Sequence, residues 1–136
     1  MASTMQVLVA TAEREVYRGD AEFLVAPGAA GELGIYPKHS PLLAALTTGE
    51  LRITVDGQVD EVFVSGGFIE VQPDMITVLS DAAERAGDID EAAAIEAERI
   101  AKEAVETQQG DIDYAKAEAE LAMTSARLLW LKKKKR

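Results

Sequence analysis

In the first half of the chain, apolar and polar residues alternate with a period of two. The clearest case is residues 51–55 (LRITV), which have the pattern of a strand with one buried and one solvated face. Asp56-Gly57 follows directly and is a strong signal for a two-residue hairpin turn. Shorter runs of strand-forming residues lie at 6–10, 21–26, 61–64, 68–72 and 75–79. Many short strands separated by turns indicate a β-sandwich or a flattened barrel.

The pattern changes near residue 86, beyond which Ala, Glu, Ile and Leu dominate and proline is absent. Asp88, with Glu91 three residues later, is arranged like a capping box and predicts a helix that runs to about residue 107. The segment 108–110 (QQG) interrupts this helix, and Asp111 is placed to cap a second one that ends near Leu131. Two helices joined by so short a loop form an antiparallel hairpin.

The sequence therefore predicts an α+β protein with two domains. Residues 1–86 form the β-sandwich, and residues 87–136 form the helical hairpin with a basic tail. Hydrophobic residues make up 48% of the chain but aromatic residues only 5%, so we expect an aliphatic, alanine-rich core. Small domains bury a modest fraction of their surface, and we expect part of this chain to lean on a partner.

Small residues indicate the face on which the two helices meet. On the second helix the predicted stripe is Ala115, Ala119, Ala122 and Ala126. On the first helix it is Ile89, Ala93, Ile100 and Ala104. Burial of apolar surface stabilises a protein by about 25 cal/mol per Å², and each alanine buries little of it. We therefore expect a weak interface between the helices, which opens without unfolding the first domain. A second apolar row consists of residues spaced by sevens, Tyr114, Leu121 and Leu128. This row either packs on the first domain or forms a surface that two docking states of the hairpin share.

Charge and residue usage exclude several functions. The net charge is −10, which argues against a nucleic-acid-binding surface over most of the molecule. There is no cysteine, which excludes disulfides, zinc–thiolate sites and thiol nucleophiles. We expect no signal peptide, because residues 1–5 lack a basic start and an apolar run. No apolar stretch approaches about 20 residues, so any membrane link is expected to run through other proteins or the tail.

The residues also predict that the chain is not an enzyme. His39 is the only histidine, so neither a histidine metal cluster nor a conventional catalytic triad can form. It lies between Pro37 and Pro41, where a structural loop role is the simpler interpretation. There is no P-loop, and the glycines at 28, 31 and 34 are spaced by threes, unlike a dinucleotide-binding fingerprint.

Five positive charges close the chain: Lys132, Lys133, Lys134, Lys135 and Arg136. Positive charge at a helix C-terminus is favourable, so one interpretation is a solvated helix end. The other is attraction to an acidic protein surface or to anionic lipid. The residues alone leave both interpretations open.

Three segments resemble one known family, the epsilon subunits of bacterial F-type ATP synthases. They are residues 27–42 (PGAAGELGIYPKHSPL), residues 64–71 (VSGGFIEV), and residues 82–86 (AAERA) with DID at 88–90. The resemblance covers essentially the whole chain in order. It implies a flattened sandwich of about ten strands followed by a helix-turn-helix, and a non-catalytic subunit on the cytoplasmic face of the cell membrane.

The resemblance also implies partners and the residues that contact them. The sandwich binds the gamma subunit and the c-ring through Gly31, Leu33, Gly34, Pro37, His39, Pro41 and Leu42. The hairpin folds against the sandwich or extends along gamma to the alpha and beta subunits, where it inhibits ATP hydrolysis. In the extended state the tail from Lys132 to Arg136 faces an acidic region of the beta subunits, and Arg127 is also assigned to partner contact.

Some members of that family bind ATP on the folded hairpin. Of the residues that the resemblance assigns to such a site, this chain keeps Glu84, Asp90 and Arg127. Three arginine positions of the pattern are instead occupied by Ala93, Ile100 and Met123. Because phosphate recognition relies on charge-assisted donors such as arginine, we expect at most a weak regulatory ATP site and no other cofactor. An ATP-sensing binding module is the alternative function.

Overall fold

The computed structural model describes residues 3–107 and 111–134. The chain divides after Arg85 into two compact units, Met1–Arg85 and Ala86–Arg136. The first unit contains ten strands and the second contains two helices, so the predicted fold class, a β-sandwich followed by a helical hairpin, is confirmed.

The sandwich consists of two five-stranded sheets. The first five strands are β1 (Met5–Ala10), β2 (Glu15–Ala21), β3 (Phe23–Gly28), β4 (Gly31–Ile35) and β5 (Leu42–Ala45). The other five are β6 (Gly49–Val55), β7 (Gln58–Ser65), β8 (Phe68–Val71), β9 (Met75–Leu79) and β10 (Ala82–Arg85). One sheet, sheet A, has the order β2-β1-β9-β8-β5, and the other, sheet B, has the order β10-β7-β6-β3-β4. The described pairs are antiparallel except for β1 with β9, which run parallel.

The core lies between the inward faces of the two sheets. The alternation predicted for residues 51–55 is confirmed, because Leu51 and Ile53 are fully buried in β6. Asp56 and Gly57 both have positive φ, 51° and 75°, and join β6 to β7 as the hairpin turn that the sequence predicts. Positive φ at both central residues is the requirement of a type I′ turn. The other core residues are likewise mostly Val, Ile, Leu and Ala.

The second unit starts with a short 3-10 helix at Ala86–Asp88 and continues with helix α1 (Glu91–Thr107) and helix α2 (Asp111–Lys134). The predicted capping residue is wrong by two positions. The carboxylate of Asp90, not that of Asp88, accepts the first free N–H groups of α1. Aspartate favours the N-cap position at either site. Asp88 is the last residue of the 3-10 turn, whereas Asp90 directly precedes Glu91, the first residue of α1. The predicted loop at 108–110 lies outside the described residues.

The two helices pack on each other through a different face from the predicted one. The buried positions are Ala94 and Ala101 on α1 and Ala117, Thr124, Leu128, Trp130 and Leu131 on α2. The predicted stripe on α2 is exposed at Ala115, Ala119 and Ala122 and half-buried at Ala126. On α1, Ala93 and Ile100 are exposed and Ala104 is half-buried, whereas Ile89 is buried before the helix begins. The row of sevens is mixed, since Tyr114 is exposed and Leu128 is buried.

Candidate partner-binding surfaces

The residues predicted to contact partners on the sandwich form one continuous segment. Gly31, Leu33 and Gly34 lie in β4, which is an edge strand of sheet B. Leu42 begins β5, an edge strand of sheet A, and the connecting loop carries Pro37, His39 and Pro41. The segment therefore runs from the edge of one sheet to the edge of the other. Leu33 and Leu42 also pack against the core, so their side chains serve the sandwich as well as its surface.

The connecting loop is held by hydrogen bonds. The N–H of Lys38, whose φ is 69°, donates to the carbonyl oxygen of Pro73 at 2.7 Å. The Nδ1 of His39 lies 2.7 Å from the carbonyl oxygen of Ser40, so the ring is bonded to its own loop. At the start of the loop, the ring of Tyr36 stacks on Phe23 with 4.4 Å between centroids. These contacts hold the loop that carries His39, and a partner contact of His39 stays a prediction.

A shallow cavity lies beside this segment, at the turn from β3 to β4. It has a volume of about 230 Å³ and is lined by the turn at 28–33 together with Ala44 and Ala45 of β5. Gly31 has a φ of 134°, a conformation that side chains other than hydrogen rarely adopt. The bond from the N–H of Ala29 to the carbonyl oxygen of Ala45, 2.9 Å long, ties this turn to β5. The glycines therefore build a narrow turn against a neighbouring strand.

An exposed apolar row crosses the outer face of sheet A. Ala45 of β5 pairs with Phe68 of β8, Phe68 pairs with Leu79 of β9, and Leu79 pairs with Ala10 of β1. Leu43 lies beside these residues and is, at 69%, the most exposed large hydrophobic residue that the structure describes, while Phe68 is 58% and Leu79 57% exposed. We call these five residues the apolar row. Since Ala45 also lines the cavity, the row continues the segment described above.

Sequence reasoning missed the apolar row, although the signal was present. In residues 68–71 (FIEV) the fully buried Ile69 and Val71 face the core. Strand alternation therefore places Phe68 and Glu70 on the outer face. A large aromatic residue that shares a solvated face with a glutamate is the feature to notice, because a contiguous exposed apolar patch marks an interaction surface.

Helix α2 presents two rows on opposite sides. The buried row contains Ala117 and Thr124 and faces α1. The exposed alanines at 115, 119 and 122 lie about half a turn away at 100° per residue. Leu129, which is 59% exposed, continues the same side toward the C-terminus. We call this side, from Ala115 to Leu129, the outer α2 row. Its residues Ala115, Ala119, Ala122 and Leu129 are exposed, whereas Ala126 on the same side is half-buried.

The residues predicted for an ATP site belong to different units. Glu84 lies in β10 of the first unit, whereas Asp90 and Arg127 lie in the second. Oδ1 of Asp90 accepts hydrogen bonds from the N–H groups of Ala92 at 3.0 Å and Ala93 at 3.3 Å. Helix capping therefore engages this carboxylate without any ligand, and the ATP site stays a prediction.

The basic tail begins inside α2. Lys132, Lys133 and Lys134 form the last turn, where positive charge complements the helix dipole. The Nζ of Lys134 lies 5.8 Å from the ring centroid of Trp130. Lys135 and Arg136, which were predicted to share this role, lie outside the described residues. Among the residues at 3–107 and 111–134, no helix is long and apolar enough to cross a membrane.

Comparison with known proteins gives consistent results along the chain. Residues 4–86 match the family model "ATP synthase, Delta/Epsilon chain, beta-sandwich domain", and residues 88–129 match "ATP synthase, Delta/Epsilon chain, long alpha-helix domain". The ATP synthase epsilon chain of Janthinobacterium sp. (strain Marseille) is 52% identical over 130 residues, covering 94% of this chain and 93% of the relative. That of Thioalkalivibrio sulfidiphilus is 48% identical, covering 100% of this chain and 98% of the relative.

The fold is similar to that of a chain in the Euglena gracilis mitochondrial ATP synthase structure that contains OSCP, F1 and the c-ring. The TM-score is 0.75 at 17% identity, with 94% of this chain and 81% of the other covered. At that identity the likeness concerns the fold alone.

Proposed function

Because the chain belongs to the family of ATP synthase delta/epsilon chains, we propose that it is a non-catalytic central-stalk subunit of a bacterial F-type ATP synthase. It couples the rotor to the catalytic head during proton-driven ATP synthesis. It sits on the cytoplasmic side of the membrane and reaches the membrane through the complex. Its single histidine, lack of cysteine and lack of a P-loop fit a structural and regulatory role.

The sandwich is the part that joins the rotor, with the gamma subunit and the c-ring as its partners. The apolar row carries this proposal, because Leu43, Phe68 and Leu79 expose more than half of their large side chains on one sheet face. Covering such a face stabilises an assembly by removing apolar area from water. The adjoining segment from Gly31 to Leu42 supplies a second contact area at the sheet edges.

The rotor contact is tested by measuring the affinity of the full chain for purified gamma subunit. Phe68→Ser is expected to weaken binding roughly thirtyfold, since a central aromatic residue contributes about 2 kcal/mol. Val59→Ser is the matched control, because Val59 is 49% exposed on β7 of sheet B. Equal affinities for the Phe68 variant and the unmodified chain would exclude the apolar row as the gamma-binding surface.

The hairpin acts as a brake on ATP hydrolysis when it extends toward the alpha and beta subunits. The outer α2 row supports this, because it is a second apolar side that the closed hairpin does not use. The buried positions of the two helices combine small residues, Ala94, Ala101, Ala117 and Thr124, with larger ones near the end of α2, Leu128, Trp130 and Leu131. The lysines from Lys132 onward then meet an acidic surface of the beta subunits.

The brake is tested by ATP hydrolysis of the soluble catalytic head reconstituted with the full chain or with a chain that ends at Gly87. The sandwich is complete at Arg85, so the shortened chain keeps every strand. A higher rate with the shortened chain, at equal assembly, is expected. Equal rates would remove the inhibitory role and leave a coupling role for the sandwich.

A further inference from the structure

A small cavity opens on the outer face of sheet A, among the large side chains of the apolar row. It has a volume of about 150 Å³. Its lining consists of Leu43, Phe68, Glu70, Thr77 and Leu79. We call it the Glu70 cavity, because the glutamate is the one charged residue in this lining.

The register of the strands places Glu70 at the centre of the cavity. Leu43 of β5 lies directly opposite Glu70 of β8, and Thr77 of β9 lies opposite it on the other side. Phe68 and Leu79 form another pair of β8 and β9, two residues away along each strand. Residues two apart on a strand share a face of the sheet. The carboxylate of Glu70 therefore shares the cavity with three large apolar side chains.

This carboxylate has no partner in the part of the chain that the structure describes. Glu70 is exposed, and among residues 3–107 and 111–134 its side chain forms neither an ion pair nor a hydrogen bond. Carboxylates on the other sheet differ, since Glu32 and Asp60 each lie within 4 Å of an arginine nitrogen. Glu70 is thus a negative charge set among apolar side chains, and water is what solvates it while the face is open.

Covering the apolar row also covers this carboxylate. Leu43, Phe68 and Leu79 all line the cavity, so a partner surface that removes these side chains from water removes Glu70 with them. An ionised carboxylate that loses its water without gaining a charged or hydrogen-bonding partner opposes binding. A partner that covers the row must therefore bring a positive group to Glu70.

The lining also selects the kind of positive group. Phe68 offers an aromatic ring, which attracts a cation placed over its face. Glu70 accepts charge-assisted hydrogen bonds, and the hydroxyl oxygen of Thr77 is a further acceptor. Leu43 and Leu79 offer apolar contact to a methylene stem. Arginine fits this combination best, because its planar guanidinium bonds a carboxylate in a fork and stacks on aromatic rings.

We propose that the Glu70 cavity receives an arginine side chain of the gamma subunit when the apolar row is covered. Apolar contact is not directional, whereas a charge pair fixes the register of two surfaces. Glu70 is then the residue that orients gamma on sheet A. This inference rests on the proposed function in that gamma is the partner of the apolar row.

The test is the affinity of the full chain for purified gamma subunit. Glu70→Gln keeps the size of the side chain and an accepting oxygen but removes the charge, and it is expected to weaken binding about tenfold or more. Glu22→Gln is the matched control, since Glu22 joins β2 to β3 and does not line the cavity. It is expected to change affinity by less than about twofold. Calorimetric unfolding checks that both variants keep the fold.

The arginine is identified by double-mutant cycles. Each arginine and lysine of gamma is changed to alanine in turn, and binding is measured with the unmodified chain and with Glu70→Gln. One arginine variant is expected to remove most of the effect of Glu70→Gln, because the pair is already broken. If Glu70→Gln keeps its full effect against every arginine variant, or couples to a lysine instead, the assignment of an arginine is overturned.

The result for Phe68→Ser separates this proposal from the rotor contact itself. If Phe68→Ser weakens binding while Glu70→Gln leaves it equal or tighter, the apolar row is the gamma-binding surface but Glu70 meets no cation, and the proposal is overturned alone. If Phe68→Ser has no effect, the apolar row is not the gamma-binding surface, and the rotor contact and the Glu70 cavity are both wrong.

Discussion

Oδ1 of Asp90 lies 3.0 Å from the backbone nitrogen of Ala92, so the side chain that precedes helix α1 also completes its first turn. Asp90→Ala is expected to lower the free energy of unfolding of the hairpin by about 0.5–2 kcal/mol, the usual effect of losing a cap. Urea unfolding followed by the fluorescence of Trp130, the only tryptophan, measures this. Asp88→Ala is the control, since Asp88 lies in the preceding 3-10 turn. A larger effect at Asp88 would identify it as the functional cap.

The helix–helix seam gives a second prediction. Ala101 is 5% exposed, so Ala101→Leu overfills the seam and is expected to destabilise the hairpin by about 1–3 kcal/mol. Ala119→Leu makes the same chemical change on the outer α2 row and is expected to stay within about 0.5 kcal/mol. Trp130 fluorescence during urea unfolding compares them. The reverse order would show that the exposed alanines face α1 in solution.

Two glycines with positive φ give a third prediction, Gly67 in the turn between β7 and β8 and Gly57 in the turn between β6 and β7. Gly67 has a φ of 102°, and a Cβ there would collide with the carbonyl oxygen of Leu79. Gly57 also has positive φ, at 75°, but a Cβ there would meet nothing within 4 Å. Gly67→Ala is therefore expected to destabilise the sandwich by about 1–3 kcal/mol more than Gly57→Ala. Calorimetric unfolding measures both. Equal losses would mean that strain in φ alone governs these turns.

A fourth prediction concerns alkaline pH. Burial raises the pKa of Tyr17, nearby Asp60 raises it further, and the positive charge of Arg85 opposes the shift. In the folded chain the phenol therefore keeps its proton at pH values where the unfolded chain, with a tyrosine pKa of about 10, has lost it. This stabilisation is complete below about pH 10 and is lost as the pH rises through the higher folded pKa.

The free energy of unfolding, measured as the pH rises through 10, is expected to fall, and this measurement checks the direction of the effect. Tyr17→Phe is expected to remove the part of the alkaline loss that comes from this phenol. Tyr36→Phe is the control, because Tyr36 is 65% exposed. It is expected to leave the slope of unfolding free energy against pH unchanged. An unchanged slope in the Tyr17 variant would show that other groups cause the alkaline loss.

Local patterns predict the sandwich well because a strand shows its buried face in every second residue. Leu51 and Ile53 are buried as their alternation requires, and the turn at Asp56-Gly57 has the positive φ values that its residue types favour. The helical seam was mispredicted for a physical reason. Each helix carries small residues on more than one side, so spacing alone cannot tell which side meets the partner helix.

The contacts of Arg85, at the end of β10, are beyond sequence reasoning for a different reason. Its guanidinium group lies 3.3 Å from Oδ1 of Asp60 and 5.6 Å from the ring centroid of Tyr17. Arg85 and Asp60 are 25 positions apart, and Tyr17 comes from the opposite sheet. No local pattern marks such a cluster, because its members meet only after both sheets have formed. The apolar row is partly predictable from the sequence. Strand alternation places Phe68 on the outer face, but only the order of the strands brings Leu79 and Ala10 beside it.

The parallel pairing of β1 with β9 has a consequence for the order of biosynthesis. Gln6 lies opposite Met75, so the strand made first must wait for nearly all of its domain to be made before it gains this neighbour. Pairings that close so long a loop form slowly, whereas two helices adjacent in the chain associate quickly. The nascent sandwich therefore keeps one side of β1 open while residues 11–74 are translated. The hairpin needs no such wait, because its two helices follow each other directly in the chain.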